Sequence, residues 1–374
     1  MLWSYELPPD RIAQYPIEPR HAARLLIYKG GEIEESIFLH LAEFLPRDTR
    51  LFYNDSRVIP ARLRKGNIEV LLTEVVEGGW DRGSPQLWKG LFRPGRFWRK
   101  GGEASWEQEG LSLYILWEKV ANPREGYFKA IWKPSHLSAL EVLERFGMPP
   151  LPPYIKRSVE AADKERYQTL HAIHPGSIAA PTAGLHFTPD VWQRLREKGI
   201  QSFPITLHVG LGTFLPLQNP EMPEKHPIHA EFFSISAASL SSLITDETPI
   251  VCVGTTTLRA LESLYWFGVN ALQGKFSSHL PPFPWKEEYP PAPLREALQA
   301  LVPFTATTQL YILPGYPFQV ASGLITNFHL PQSTLLALVE AFIGREGIVK
   351  VYNYALEKGF RFLSYGDTSL LWRK

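Results

Sequence analysis

The sequence predicts an α/β protein. A mixed α/β main domain, residues 1–60 and 151–374, is interrupted at residues 61–150 by a small antiparallel β domain. Three observations carry this. Strand–loop–helix units recur after residue 180, which implies a largely parallel sheet with helices packed on it. Between residues 61 and 134, short alternating runs separated by glycine turns continue with no helix among them, as in a small barrel or sandwich. The stretch MPPLPPYIKR, residues 148–157, reads as a stiff crossover out of that insert.

The elements follow in order. Arg24–Tyr28 reads as a strand stopped by Gly30 and Gly31, and Leu51–Tyr53 as a second strand before the turn pair Asn54 and Asp55. The insert has strands at Ile68–Val76, Gln86–Arg93, Leu111–Val120 and Tyr127–Trp132, with turns at Gly78-Gly79, Gly101-Gly102 and Gly126. Leu137–Phe146 is a helix, with Ser135 as its cap and Gly147 beyond its end. Thr188 caps the next helix, with Pro189 first, Asp190 in the first turn, Arg196 and Lys198 in the last, and Gly199 at the stop. A strand is expected at Ile205–Val209 and another at Pro249–Val253. The second runs through Gly254 into a helix that reaches Trp266 and stops at Gly268. Leu324–Phe328 is a strand, and Ser333-Thr334 opens a helix through Ile343 that Gly344 ends. Residues 274–304 are proline-rich and read as a surface excursion.

Composition narrows the function. The 374 residues carry a net charge of +1, so a nucleic-acid partner would need a local basic patch. One cysteine, Cys252, argues against an intrachain disulfide framework, a cysteine-ligated zinc site and a cluster-binding cysteine motif. The N-terminal residues lack a basic segment followed by an apolar run, and no stretch of about 18 apolar residues occurs. A cytoplasmic location without membrane contact is the expectation.

The strand ends hold the chemistry-bearing residues. VGTTTLRALES places Gly254, Thr255 and Thr256 at a helix N-terminus, where free backbone N–H groups and the helix dipole favour an anion, with Arg259 and Glu262 on one face beyond. LHVGLGTF sets His208 at a strand end before Gly210 and Gly212, but Leu215 stands where a dinucleotide fingerprint has its third glycine. HPIHAE brings His226, His229 and Glu231 together without the spacing of a zinc-protease helix, so acid–base or hydrogen-bonding work suits them better than metal. LITNFHLPQST puts Asn327 and His329 at a strand end before the helix start at Ser333 and Thr334. GSIAAPTAGLHFT runs small residues up to His186. FYNDSRVIPARL groups Asn54, Asp55, Arg57 and Arg62. LWKGLFRPGRFWRKGG holds Lys89, Arg93, Arg96, Arg99 and Lys100 among aromatics and no acid, a pattern suited to phosphate contact and base stacking.

Together and in this order, these stretches closely resemble the S-adenosylmethionine:tRNA ribosyltransferase-isomerase family of queuosine biosynthesis. ELPPDRIAQYP, PLPPYIKR, ERYQTLHA, PGYPF and FLSYGDTSLL add to the match, which runs from residue 6 to residue 371. The resemblance implies an α/β domain interrupted by a closed β-barrel. It implies transfer and isomerisation of the ribosyl part of S-adenosylmethionine onto 7-aminomethyl-7-deazaguanine at the tRNA wobble position, giving epoxyqueuosine-tRNA, adenine and methionine. S-adenosylmethionine would be a co-substrate, with no prosthetic group or metal, and the single cysteine agrees with its non-radical use.

In that frame His186, His208, His229 and His329, with Glu231, are the candidates for proton transfer. Asn54, Asp55, Arg57, Arg62, Thr182, Ala183, Gly184, Gly210, Gly212, Thr213, Gly254, Thr255, Thr256, Arg259, Gly315, Tyr316, Asn327, Ser333 and Thr334 are the substrate-binding candidates, and a monomer is expected. The chain departs from the family pattern at His21, His171, Leu215 and Ser322. Two further readings stand beside this one: a diverged paralogue that binds RNA or S-adenosylmethionine without the reaction, and a metal-dependent hydrolase using His226, His229 and Glu231.

Overall fold

A computed structural model describes residues 3–210, 212, 217–245, 248–286 and 292–373. β1 (Arg24–Lys29) and β2 (Glu32–Ile37) form a hairpin whose turn, Gly30-Gly31, has positive φ at both positions, a backbone glycine adopts without steric cost. β3 (Arg50–Asn54) follows, and β4 (Ser56–Val58) leads away from it.

The chain then enters the antiparallel unit: β5 (Arg62–Lys65), β6 (Ile68–Glu77), β7 (Gln86–Arg93), α1 (Gly95–Trp98), β8 (Glu103–Gln108), β9 (Leu111–Val120) and β10 (Glu125–Lys133). The strand order is β5-β6-β7-β10-β9-β8. The sheet curls until its edges meet, and side chains span the seam. Lys65 Nζ donates to Ser105 O at 2.8 Å, and Trp106 Nε1 to Arg64 O at 3.1 Å. No β5–β8 ladder forms among the described residues, so the barrel is nearly closed. Trp88, Trp98, Phe128 and Trp132 fill it, each no more than 2% exposed. Gly126, expected in a turn, lies inside β10, where a Cβ would sit 2.3 Å from the Trp117 ring.

α2 (Ala139–Phe146) closes the unit. Its cap is Ser138 and not Ser135, because only Ser138 has a glutamate three residues on to complete a capping box, Glu141. Arg62 and Met148 exchange backbone hydrogen bonds of 3.1 and 2.9 Å, so the chain leaves the barrel beside its point of entry.

The remaining elements are α3 (Asp163–Arg166), β11 (His174–Ser177), α4 (Pro189–Glu197), β12 (Gln201–Leu207), β13 (Glu231–Ser234), α5 (Ala237–Thr245), β14 (Ile250–Val253), α6 (Thr255–Leu272), β15 (His279–Leu280), α7 (Leu294–Gln299), β16 (Thr305–Thr308), β17 (Gly323–Asn327), α8 (Thr334–Glu357) and β18 (Thr368–Trp372). A ten-stranded sheet runs β15-β16-β13-β12-β3-β14-β17-β18-β1-β2. Its centre, β12-β3-β14-β17, is parallel, and antiparallel pairs flank it, so the sheet is mixed. β14, β17 and β18 are buried along their whole length, as expected for strands covered on both faces.

Three helix ends differ from expectation. Thr188 stands at the N-cap of α4, but its hydroxyl bonds His21 Nδ1 at 2.8 Å instead of capping. Gly268 does not end α6, which runs on to Leu272; the glycine lets α7 approach. Gly344 breaks α8 with φ 77°, yet the chain resumes a helix at once and continues to Glu357. A Cβ at Gly268 would lie 2.1 Å from the Ala297 carbonyl oxygen. Gly268→Ala is therefore expected to destabilise the protein, because overpacking of about 1–3 kcal/mol outweighs the roughly 1 kcal/mol helix-propensity gain. A lower denaturation midpoint at unchanged slope is the expected readout.

Candidate active site

The carboxyl ends of β12, β3, β14 and β17 lie side by side, the edge of a parallel sheet at which ligands bind. At the end of β14, Gly254 donates its N–H to Ile325 O at 2.8 Å and turns with φ 91° into α6. A Cβ there would meet nothing closer than 3.6 Å, so glycine serves the backbone angle and not the space. No side chain caps α6, and Thr257 spends its hydroxyl on Val253 O. Among the described residues the Thr255 and Thr256 hydroxyls have no hydrogen-bond partner, and they stand at the positive end of an 18-residue helix.

Two lobes of one cleft meet at this turn. The first is walled by Pro181, Thr182, Ala183, Gly254, Asn327, His329 and Ser333, and the second by Gly212, His226, His229, Glu231, Arg259 and Thr334. Thr255, Thr256 and Leu335 belong to both.

In the first lobe, Asn327 Oδ1 accepts from Thr182 Oγ1 at 2.8 Å and Asn327 Nδ2 donates to Asp367 O at 3.3 Å, which ties the small-residue loop to the end of β17. His329 is held on both sides of its backbone: its N–H donates to Tyr352 Oη at 3.0 Å, and its carbonyl accepts from Tyr5 Oη. Its Nε2 lies 2.8 Å from Thr326 Oγ1. Burial lowers the His329 pKa from 6.5 to about 3, so the imidazole is neutral. Ser333 is used in capping: its Oγ accepts from Leu336 N at 3.2 Å and donates to Leu330 O at 2.7 Å.

In the second lobe, Arg259 and Glu231 form a buried ion pair. Desolvation lowers the arginine pKa to about 10, which leaves it cationic at neutral pH. Glu231 also accepts from Gly210 N at 3.4 Å. A Cβ on Gly212 would sit 2.3 Å from His229 Cδ2, so the loop lies flat on that ring. His226 Nδ1 accepts from Gln218 N at 3.3 Å, and burial followed by His229 lowers its pKa. With Glu231 taken up by Arg259, this trio does not converge, and among the described residues no group of three or more His, Cys, Asp or Glu could hold a metal ion.

Several sequence candidates lie outside both lobes. His186 is 4% exposed under Phe38, with Nδ1 3.0 Å from Arg20 O. His208 stacks on Phe232 beneath the Gly176 backbone. Both are set apart because their strand or turn presents them to packing instead of to the cleft. Asn54 bridges β3 to the Leu207 backbone through both side-chain atoms. Asp55 accepts from Thr206 Oγ1 at 2.7 Å, with His174 Nε2 3.7 Å from its other oxygen. Arg57 pairs with Glu144 and Arg62 with Glu69. Gly184 packs against Thr169 and His171, and Gly210 lies beside the second lobe, outside its lining. Gly315 is a turn glycine with φ 96°.

Tyr316 is buried, accepting from Trp266 Nε1 and donating to Glu262. Glu262 is engaged by another segment, accepting the N–H groups of Gln319, Val320 and Ala321. Thr213, together with Leu215, lies outside the described residues. In the barrel, Trp88 and Trp98 are core residues, so they are closed to base stacking. Lys89 pairs with Glu125 and Arg93 with Glu69, Arg99 lies over Phe92, and Arg96 and Lys100 are exposed.

Tyr154, Leu363 and Ser364 line the first lobe and Tyr311 the second. None was singled out from sequence, although Tyr154, Leu363 and Ser364 lie within the stretches PLPPYIKR and FLSYGDTSLL.

The profile of a family described as queuosine biosynthesis protein matches residues 1–371. The chain belongs to this family. Relatives named S-adenosylmethionine:tRNA ribosyltransferase-isomerase include one from Acidithiobacillus ferrooxidans, 38% identical over 98% of this chain and 96% of its own. Another, from Thermotoga maritima, is 39% identical over 99% and 98%. A crystal structure of the Thermotoga maritima S-adenosylmethionine tRNA ribosyltransferase aligns over 98% of this chain and 99% of that one, with 31% identity and a TM-score of 0.48. At the family's departures, His21 bonds Thr188, His171 packs between Tyr53 and Trp192, and Ser322 exchanges backbone bonds with Ile250 and Arg373.

Burial holds His186 and His208 near pKa 4, below the unfolded value of about 6.5. Below that unfolded value the unfolded chain binds protons that the folded chain refuses, so stability falls as pH drops from about 6.5 towards 4. His186→Gln is expected to flatten that loss in denaturant titrations across this range and to leave turnover near wild type.

Proposed function

We propose that this chain transfers and isomerises the ribosyl group of S-adenosylmethionine onto the aminomethyl group of 7-aminomethyl-7-deazaguanine at the wobble position of tRNA, releasing adenine and methionine and leaving epoxyqueuosine. The observation that carries the reading is the two-lobed cleft joined at the N-terminus of α6, in a chain whose family match spans residues 1–371. The first lobe suits a nucleoside: small side chains at Ala180 and Ala183 leave room, and Thr182, Asn327 and His329 supply polar groups. The second suits the methionine part. Its carboxylate would sit against the Thr255 and Thr256 N–H groups, where the helix dipole favours negative charge.

The chemistry asks for a base beside the sulfonium, an acid to help adenine leave, and a neutral amine as nucleophile. The imidazoles available are His329 in the first lobe and His226 and His229 in the second, where Glu231 with Arg259 sets the field. His329, neutral and fixed by Thr326, is suited to hydrogen-bond and orient the substrate in the nucleoside lobe, since burial opposes its protonation. Each chain carries both lobes, so a monomer suffices. No helix among the described residues is long and apolar enough to cross a membrane. The reaction belongs where tRNA is, in the cytoplasm.

The test is adenine release from S-adenosylmethionine that depends on tRNA bearing the deazaguanine. His329→Ala is expected to lower kcat by about 100-fold or more with its folding intact. Tyr5 and Tyr352 hold the backbone on either side of that residue and need not be altered. Near-normal release from this variant would remove His329 from the mechanism.

A further inference from the structure

Outside the cleft, a groove runs between the barrel and the crossover that leads out of it. Arg62, Arg64 and Arg93 stand on its barrel wall, and Lys156 and Arg157 on the crossover wall. Its acids are already shared. Glu69, the one carboxylate in the lining, takes both Arg62 at 3.1 Å and Arg93 at 2.6 Å, and Asp163 takes Arg157 at 2.7 Å. Five cations against two carboxylates leave the groove positive in a chain whose net charge is only +1. Arg64 and Lys156 are exposed and have no acidic partner among the described residues.

The crossover is also a wall of the cleft. Between residues 150 and 159, every residue but Tyr154 lines the groove, and Tyr154 lines the nucleoside lobe instead, its Oη 2.6 Å from Ser364 Oγ. Groove and cleft are therefore two sides of one proline-stiffened strand of chain. A polyanion lying in the groove passes beside the lobe that takes a nucleoside.

We propose that this groove holds the sugar–phosphate backbone of the tRNA next to the modified nucleotide, with Arg64 and Lys156 as phosphate contacts. This rests on the reaction proposed above. Clustered cations on a groove recognise phosphate irrespective of sequence, and a nucleotide turned out of the strand would enter the cleft past Tyr154. Arg96 and Lys100, exposed on the barrel but outside the groove, then contribute little.

The double variant Arg64→Glu/Lys156→Glu is compared with Arg96→Glu/Lys100→Glu and the wild type. Binding to tRNA is measured across a salt series, alongside adenine release. The groove variant is expected to bind tRNA about 10-fold or more weakly, with a shallower salt dependence. KM for S-adenosylmethionine and kcat at saturating tRNA should be unchanged, and the comparison variant should match wild type. Unchanged tRNA affinity in the groove variant, or a loss confined to the comparison variant, overturns the proposal. A wild type that binds tRNA but releases no adenine overturns the reaction instead, and the binding series still judges the groove.

Discussion

Gly254 turns the chain from a fully buried strand into an 18-residue helix at φ 91°, with its N–H tied to the neighbouring strand at Ile325. That single turn sets where α6 begins, and the cleft is arranged around it. It brings the unpaired N–H groups of the first helical turn to the edge of the sheet, where β14 lies between β3 and β17. Both lobes share Thr255 and Thr256 because the helix starts there and nowhere else. A residue with a side chain would find space at 254 but not the backbone angle.

The groups around that turn are held by buried polar contacts, each of which satisfies an atom that would be costly to leave alone. Asn327 fastens Thr182, so the small-residue loop cannot swing away from β17. Glu262, one turn beyond Arg259, collects three backbone N–H groups and the Tyr316 hydroxyl. Its pKa is raised, first by burial, with those bonds opposing the shift. The arrangement anchors the segment 315–321 to α6. Arg259, one turn before Glu262, meets Glu231 in the second lobe. One helix thus carries a structural carboxylate and a site cation at positions three apart, about one turn from each other along the axis, and each is taken up by a different neighbouring segment.

Much of the site was legible because strand ends and helix starts have local signatures. Gly254–Thr256, Asn327, His329, Ser333 and Thr334 stand where a strand stops or a helix begins, His229 and Glu231 where a strand begins, and all of them line the cleft. His186 and His208 have the same local appearance, yet they are packed against Phe38 and Phe232. Nothing in a strand-end histidine says which way its ring will face once a second element covers it. The same limit applies in the barrel, where alternation marks Trp88 and Trp98 as aromatic neighbours of cations but not as core. Tyr154 shows the converse: its proline-rich setting reads as a connector, and only the position of the crossover makes it a wall of the lobe.

By itself the sequence determined the α/β class, the antiparallel insert, the helix starts at residues 255 and 334, and the family, because periodicity, glycine and capping residues act over a few positions. The tertiary structure decided which of the candidates share a cavity, that Glu262 and Tyr316 are core, and that of the basic run at 89–100 only Arg93 lines the groove, beside Arg62, Arg64, Lys156 and Arg157. Those outcomes depend on contacts between segments far apart in the chain, such as Thr182 with Asn327 and Tyr154 with Ser364. No local pattern encodes such a contact, since it forms only when the sheet order has placed both partners at one edge.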